Sequence, residues 1–347
     1  MKNKIIPLIC VTTLIVTLVG CGQNSINTQM HSTTESSVAE SVAETEVTSD
    51  QDKLKVVTTL YPYYDFVRQI AGDKVNITML VPAGMDTHSF EPTPADMIVV
   101  QNAEVFIYNG GDMESWVPQV LDAVENTNQI SDCMMDHVET FVEEECEGME
   151  PEEDETEATD VDDTDQTTGE DVEYDEHIWT SPVNAQKIVT EICNVLKEAD
   201  QEDADYFQSN ADNYIKQLQD LDSQFKDVVD NSKRKIIIFG DKFPLRYFVE
   251  EYGLEYRAAF NGCSTETEPS VSMVAYLIDK VKEENVPVIY HIELSSGKIA
   301  DTISEATGAK VLLFHTCHNV SQEDFDNGVT YLELMQKNVE ALREGLN

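Results

Sequence analysis

Three histidines, His88, His177 and His315, stand just after or beside stretches of strand type. In open α/β sheets ligands bind beyond the carboxyl ends of the strands. A divalent transition metal takes three or four nitrogen, oxygen or sulfur donors, and neutral imidazole suits zinc well. His88 lies in a turn-rich loop, P-A-G-M-D-T-H-S-F-E-P-T-P, from Pro82 to Pro94. The loop ends in a helix start: Thr93 reads as an N-cap and Pro94 as the first helical residue, where a missing N–H costs nothing. Asp96 then falls in the first turn, where a carboxylate favours the helix dipole. His177 follows Asp175 and Glu176, either of which could orient its ring. The segment His315-Thr-Cys317-His318 is dense in donors, with His318 a lesser candidate beside His315. The other histidines suggest less. His31 lies in a polar stretch, His137 is expected at the surface, and His291 sits within an apolar strand as a hydrogen-bonded core residue. Trp116 and Trp179 read as packing residues.

The elements that must carry these residues alternate. Lys55 to Leu60, Val75 to Val81 and Glu104 to Tyr108 read as strands, with helical spacing at Tyr63, Val67 and Ile70, at Pro94 to Gln101 and at Met113 to Val124. Such alternation predicts a mainly parallel sheet. Ser181-Pro182 opens a further helix. Phe207, Ala211, Tyr214, Leu218, Leu221, Phe225 and Val228 then form a narrow apolar stripe without Gly or Pro, predicting a helix of about 33 Å that joins two lobes. The plan restarts beyond it, with strands at Lys235 to Phe239, Val286 to Glu293 and Lys310 to Phe314, and helices at Val271 to Glu284, Lys298 to Thr307 and Gly328 to Leu342. The reading is an α/β protein of two lobes with mainly parallel sheets joined by one long rigid helix: residues 53–200 as the N-terminal lobe, 201–231 as the connecting helix and 232–347 as the C-terminal lobe.

Composition narrows what the molecule can do. The net charge of −45 leaves nothing to neutralise phosphates, so nucleic acid is excluded as a partner. Much of the acid is local: residues 139–176 hold 20 Asp or Glu and no Lys or Arg, and read as a disordered loop. Such a loop is either a weak cation collector or a solvated insertion. At the start, Lys2, Lys4 and the apolar run Ile5 to Val19 read as an export signal, 1–20, too short to span a membrane. Leu-Val-Gly-Cys21 resembles a bacterial lipobox, which implies cleavage before Cys21 and a lipid on its sulfur. Residues 21–52, rich in Ser, Thr and Glu, read as a flexible tether. With Cys10 and Cys21 set aside, five cysteines remain in a compartment that permits disulfides.

Two segments carry a family resemblance. Pro82-Ala-Gly84-Met-Asp-Thr-His88-Ser-Phe90-Glu91-Pro92 and Asp175-Glu-His177-Ile-Trp179-Thr-Ser181-Pro182-Val-Asn184-Ala185 resemble the two marks of the zinc and manganese substrate-binding proteins of bacterial ABC importers. The resemblance runs from Lys55 to the C-terminus. It implies two α/β lobes joined by one long helix with metal in the cleft between them, and metal binding by His88 and His177. It also implies a membrane permease and an ATPase as partners, a monomeric carrier, and anchoring outside the cell membrane through lipid. The second lobe departs from the pattern. Where the family has a histidine after the strand matching Lys235 to Phe239, the chain has Gly240-Asp241-Lys242; where it often has an aspartate, the chain has His315. A three-histidine site of His88, His177 and His315 is expected, its fourth position open among Asp241, Glu293, His318 and water. The resemblance also suggests a disulfide between Cys263 and Cys317.

Three functions compete. The first is a carrier of a divalent metal, zinc rather than manganese, because imidazole is softer than the carboxylates Mn²⁺ prefers. A zinc hydrolase would need an open coordination position and a general base, yet HExxH and Gly-x-Ser-x-Gly are missing, and Gly297-Lys298 lacks the upstream glycine of a phosphate loop. The chain is therefore expected not to be an enzyme. The third is a lipid-tethered adhesin with structural metal, which metal removal would unfold.

Overall fold

The computed structural model describes residues 53–123, 127–144, 173–264 and 268–347. The leader, Cys21, the tether and positions 145–172 of the acidic run fall outside them. Two all-parallel sheets carry the described chain. The first has β1 (Leu54–Thr58), β2 (Val75–Met79), β3 (Val105–Tyr108) and β4 (Ile130–Cys133) in the order β2-β1-β3-β4. Around it lie α1 (Tyr61–Ala71), α2 (Pro94–Gln101), α3 (Val117–Ala123) and α4 (Pro182–Ala199). A parallel strand covered on both faces should read as one apolar run, and Val105, Phe106 and Ile107 of β3 are all fully buried.

After α5 (Ala204–Asp230) the plan repeats. Strands β5 (Ile236–Phe243), β6 (Glu255–Asn261), β7 (Val288–His291) and β8 (Lys310–Leu313) pair in the order β6-β5-β7-β8. The helices of this half are α6 (Arg246–Tyr252), α7 (Val271–Glu284), α8 (Lys298–Thr307), α9 (Gln322–Asp326) and α10 (Tyr331–Leu346). The α/β expectation with parallel sheets holds. Two strands the periodicity did not predict, β4 and β6, lie at sheet edges, where a strand need not be apolar throughout.

The stripe along α5 does what its spacing predicts: Phe207, Ala211, Tyr214, Leu218, Leu221, Phe225 and Val228 are all buried. The amino-terminal part of the helix faces the first half, through the Phe66–Tyr214 ring contact and a hydrogen bond from Asn210 Nδ2 to Ile70 O at 2.9 Å. Its carboxyl-terminal part faces α6, through Phe225 against Phe248 at 4.9 Å and Tyr252 OH donating to Asp222 Oδ1. A second tie joins the halves. Asp65 in α1 accepts from Arg68 and from the backbone N–H of Tyr331, and Arg68 also donates to the carbonyls of Gly328 and Val329.

The acidic run differs from the expectation at its ends. Val142 pairs with Tyr174 in an antiparallel bridge, and Phe141 packs its ring 5.2 Å from that of Tyr247. Phe141, half-buried, gives this otherwise acidic stretch an apolar side chain to pack, while Val142 stays exposed.

Candidate metal centre

His88 is placed by a loop that braces itself. Asp86 Oδ1 accepts from the backbone N–H of His88 at 3.0 Å, and Thr93 and Asp96 form a reciprocal capping box that starts α2. The ring is half-buried and its Nε2 is buried with no partner. His177 sits behind it, fully buried. Its Nδ1 faces Asp175 Oδ1 at 3.2 Å, and the same oxygen accepts from the His177 N–H at 2.8 Å. That leaves Nε2 as the free donor, and it too is buried without a partner. Trp179 walls the site: its ring centroid lies 5.6 Å from that of His177, and its Nε1 donates to Thr316 O.

The third imidazole is His318, not His315. Ligand atoms of His88, His177 and His318 all lie within 4.8 Å of one another, with ring centroids 5.0–5.5 Å apart. Among the described residues His315 belongs to no such group. Its backbone is clasped instead by Asn338, which accepts from the His315 N–H at 2.7 Å and donates to its carbonyl at 2.6 Å. Beyond it Thr316 is held by Glu293, and Cys317 takes φ +59°, a left-handed conformation uncommon for a residue with a Cβ. That turn buries Cys317 and carries His318 to the other imidazoles.

The loops bearing His88 and His318 are sewn together. Asn319 Nδ2 donates to the carbonyls of Pro82 and Met85, Gly84 N–H donates to Val320 O at 2.7 Å, and Thr87 Oγ1 meets the His318 ring. In front of them lies a cavity of about 400 Å³, lined by His88, His318, Asp241, Lys242, Glu293 and Asn319 among others.

Burial and the neighbouring His177 hold His88 down at about 4. Burial likewise lowers His318, helped by His177 and His88. Burial acts against the imidazolium of His177 as well, but Asp175, with Glu176 and Glu143 behind it, outweighs that and raises the ring above its ordinary value. Two of the three rings are thus neutral donors throughout the physiological range.

The other sequence candidates fall into place. Asp241 spends its carboxylate on Lys242 N–H, Ile292 N–H and Ser295 Oγ, closing the bulge in β5 and the loop after β7. Glu293 accepts from Thr316 N–H at 2.8 Å, Thr316 Oγ1 at 2.6 Å and His318 N–H at 3.1 Å, so it positions the third imidazole. The expected disulfide is not formed: Cys263 and Cys317 are both free. Cys317 is fully buried, whereas Cys263 is part-buried, with its N–H on Glu143 Oε1 and its sulfur near His88 and Glu176. His291 hydrogen-bonds Ile292 O and is half-buried. His137 is not a free surface residue but pairs with Asp132 at 2.8 Å.

Residues 56–345 match the family described as "Zinc-uptake complex component A periplasmic". The high-affinity zinc uptake system protein ZnuA of Bacillus subtilis is 36% identical over 298 residues, which cover 86% of this chain and 89% of that protein. The zinc-binding lipoprotein AdcA of Streptococcus pneumoniae is 32% identical over 297 residues, 84% of this chain but 56% of AdcA, so the match spans little more than half of that longer protein. The solved Zn(II)-bound ZnuA-like domain of the same AdcA superposes with a TM-score of 0.68 at 30% identity, covering 85% of this chain and 99% of the domain.

Proposed function

The chain belongs to the family of periplasmic zinc-uptake component A proteins, and on that premise we propose that it captures zinc outside the cytoplasm and delivers it to an ABC importer. One observation carries the site: imidazoles from three separate loops converge, and the Nε2 atoms of His88 and His177 are buried with no hydrogen bond. A buried polar atom left unmade costs about 1–3 kcal/mol. A fold that accepts this twice in one place is arranged for a ligand. The carboxylates nearby are committed to backbone donors, so the donor set is rich in nitrogen and favours zinc over manganese. The importer's permease and ATPase are the partners, since the chain offers no phosphate loop. The molecule acts as a monomer, held to the outer face of the membrane by a lipid on Cys21.

Zinc titration by calorimetry on purified variants tests the ligand set. His88→Ala, His177→Ala and His318→Ala should each cost more than the roughly 100-fold that outer partners of metal ligands cost. His315→Ala should bind like wild type. Loss at His315 with retention at His318 would overturn the assignment, and a wild-type protein that takes up no zinc would overturn the carrier reading. For the anchor, Cys21→Ala protein should appear in the medium rather than with the membrane.

A further inference from the structure

The cavity in front of the imidazoles has a wall that metal binding alone leaves unused. Its lining holds the carboxylates of Asp86, Asp241 and Glu293 and the ammonium groups of Lys242 and Lys298. The carboxylates serve the chain itself. Asp86, exposed at the rim, accepts from His88 N–H; Asp241 accepts from Lys242 N–H, Ile292 N–H and Ser295 Oγ; Glu293 accepts from Thr316 and His318 N–H. The ammonium groups serve nothing. Among the described residues the side chains of Lys242 and Lys298 make no hydrogen bond or ion pair, in a chain with 67 acidic and 22 basic residues. Elsewhere Lys74, Lys226 and Lys310 each hold a carboxylate at 2.8 Å.

Lys242 is half-buried, and its charge acts on both His88 and His318. It follows the register shift in β5 after Phe239, the kind of irregularity that re-aims a side chain beside a binding site. Helix α8 starts on the same wall, where Gly297 and Ile299 line the cavity, and no side chain caps it. The positive end of its dipole adds to the two ammonium groups, offset in part by Asp301 in the first turn. Size is a separate observation. A volume of about 400 Å³ lies within the range of small-molecule sites, about 300–1,000 Å³, and far exceeds the roughly 30 Å³ of one water on a metal ion. Charge points the same way. Asp175 stands behind His177 and outside the cavity lining, so a divalent ion on neutral imidazoles would face two unpaired ammonium groups across the cavity.

We propose that the cavity is a second ligand site, for a small organic acid with two or more carboxylates that arrives on the zinc as its chelator. One carboxylate oxygen takes the fourth position on the ion, and another carboxylate pairs with Lys242 and Lys298. The inference rests on the carrier reading and adds that the cargo is a zinc–carboxylate complex rather than the bare ion. Capture is ligand exchange: the imidazoles replace water and part of the chelator's oxygens on zinc, no bond within the acid breaks, and no oxidation state changes.

Citrate is the probe and the full mature protein the sample. Native mass spectrometry of wild type with zinc and citrate should show a species holding both, and labelled citrate in equilibrium dialysis should be retained with zinc and not without it. Lys242→Gln should weaken citrate retention about tenfold or more, the scale of one charge-assisted hydrogen bond, and Lys298→Gln should act in the same direction. Zinc alone should bind Lys242→Gln more tightly, since a like charge is gone. The wild-type measurements do not depend on either variant folding. Zinc stripped by citrate with no ternary species, citrate held equally by wild type and Lys242→Gln, or acetate and phosphate held as tightly as citrate would each overturn the proposal while leaving the carrier reading intact. A wild type that takes up no zinc, with or without citrate, would overturn the carrier reading, and the proposal with it.

Discussion

Asp175 and His177 show how one residue sets the character of another. The carboxylate holds Nδ1, fixes the ring's orientation and raises its affinity for a proton. The same contact makes Nε2 a better donor to metal, so Asp175→Asn should lower zinc affinity by about 10–100-fold, measured by competition with a chelating dye. Proton and zinc compete for His177. Because its value is raised, the ring takes up its proton while pH is still above the ordinary histidine range, and zinc must displace that proton as pH falls towards it. His88 takes up its proton only near about 4. Proton release on zinc binding should therefore rise as pH falls towards the ordinary histidine range, as calorimetry in buffers of different ionisation heat would show; a constant release would contradict the Asp175 effect. At this scale the sequence was legible where a side chain lies in a rigid local motif. His88 and His177 sit in such motifs. His318 did not declare itself, because its placement depends on a left-handed residue at Cys317 and on Asn338 clasping His315 from a distant helix. Neither has a signature in the spacing of the strand that precedes them.

Among the elements, α5 was the most legible and is the most consequential. Its stripe touches both halves, so truncating it loosens both. Phe225 is fully buried against Phe248 and Tyr252, and Phe225→Ala should cost about 3–5 kcal/mol in denaturant unfolding. At the start of α2, Thr93→Ala removes one half of the capping box and should cost about 1 kcal/mol. The periodic helices and central strands were readable because one face or the whole run must be apolar. Edge strands β4 and β6 were not, although edge strands β2 and β8 were: Ile130–Cys133 is short and half polar, and Glu255–Asn261 carries Glu255 and Arg257. The same holds for the short α9, which has no buried residue.

In the molecule as a whole, the core is built from apolar packing. A continuous cluster of buried apolar side chains includes residues from Val56 to Leu346 and draws on both sheets. Removing zinc with a chelator should leave far-ultraviolet circular dichroism and cooperative unfolding in place, and adding zinc should raise the melting temperature as its concentration exceeds the dissociation constant. Complete unfolding on chelation would instead favour a structural role for the metal. This separation of core from site is why fold class was legible from patterning, while the exact ligand set was not: packing constrains many residues, the site only a few.

The stitching of Pro82, Gly84 and Met85 to Asn319 and Val320 bears on how long cargo stays aboard. The α5 contacts and the Asp65–Arg68–Tyr331 knot resist a wide swing of one half from the other, so the cheaper exit is to unpick this short seam. Residues 84–86 are solvent-facing, with Met85 41% exposed, and His88 is only two positions further on. Whatever draws on residues 84–86 reaches His88 directly, and opening the imidazole cluster there needs no more than a local parting of two loops.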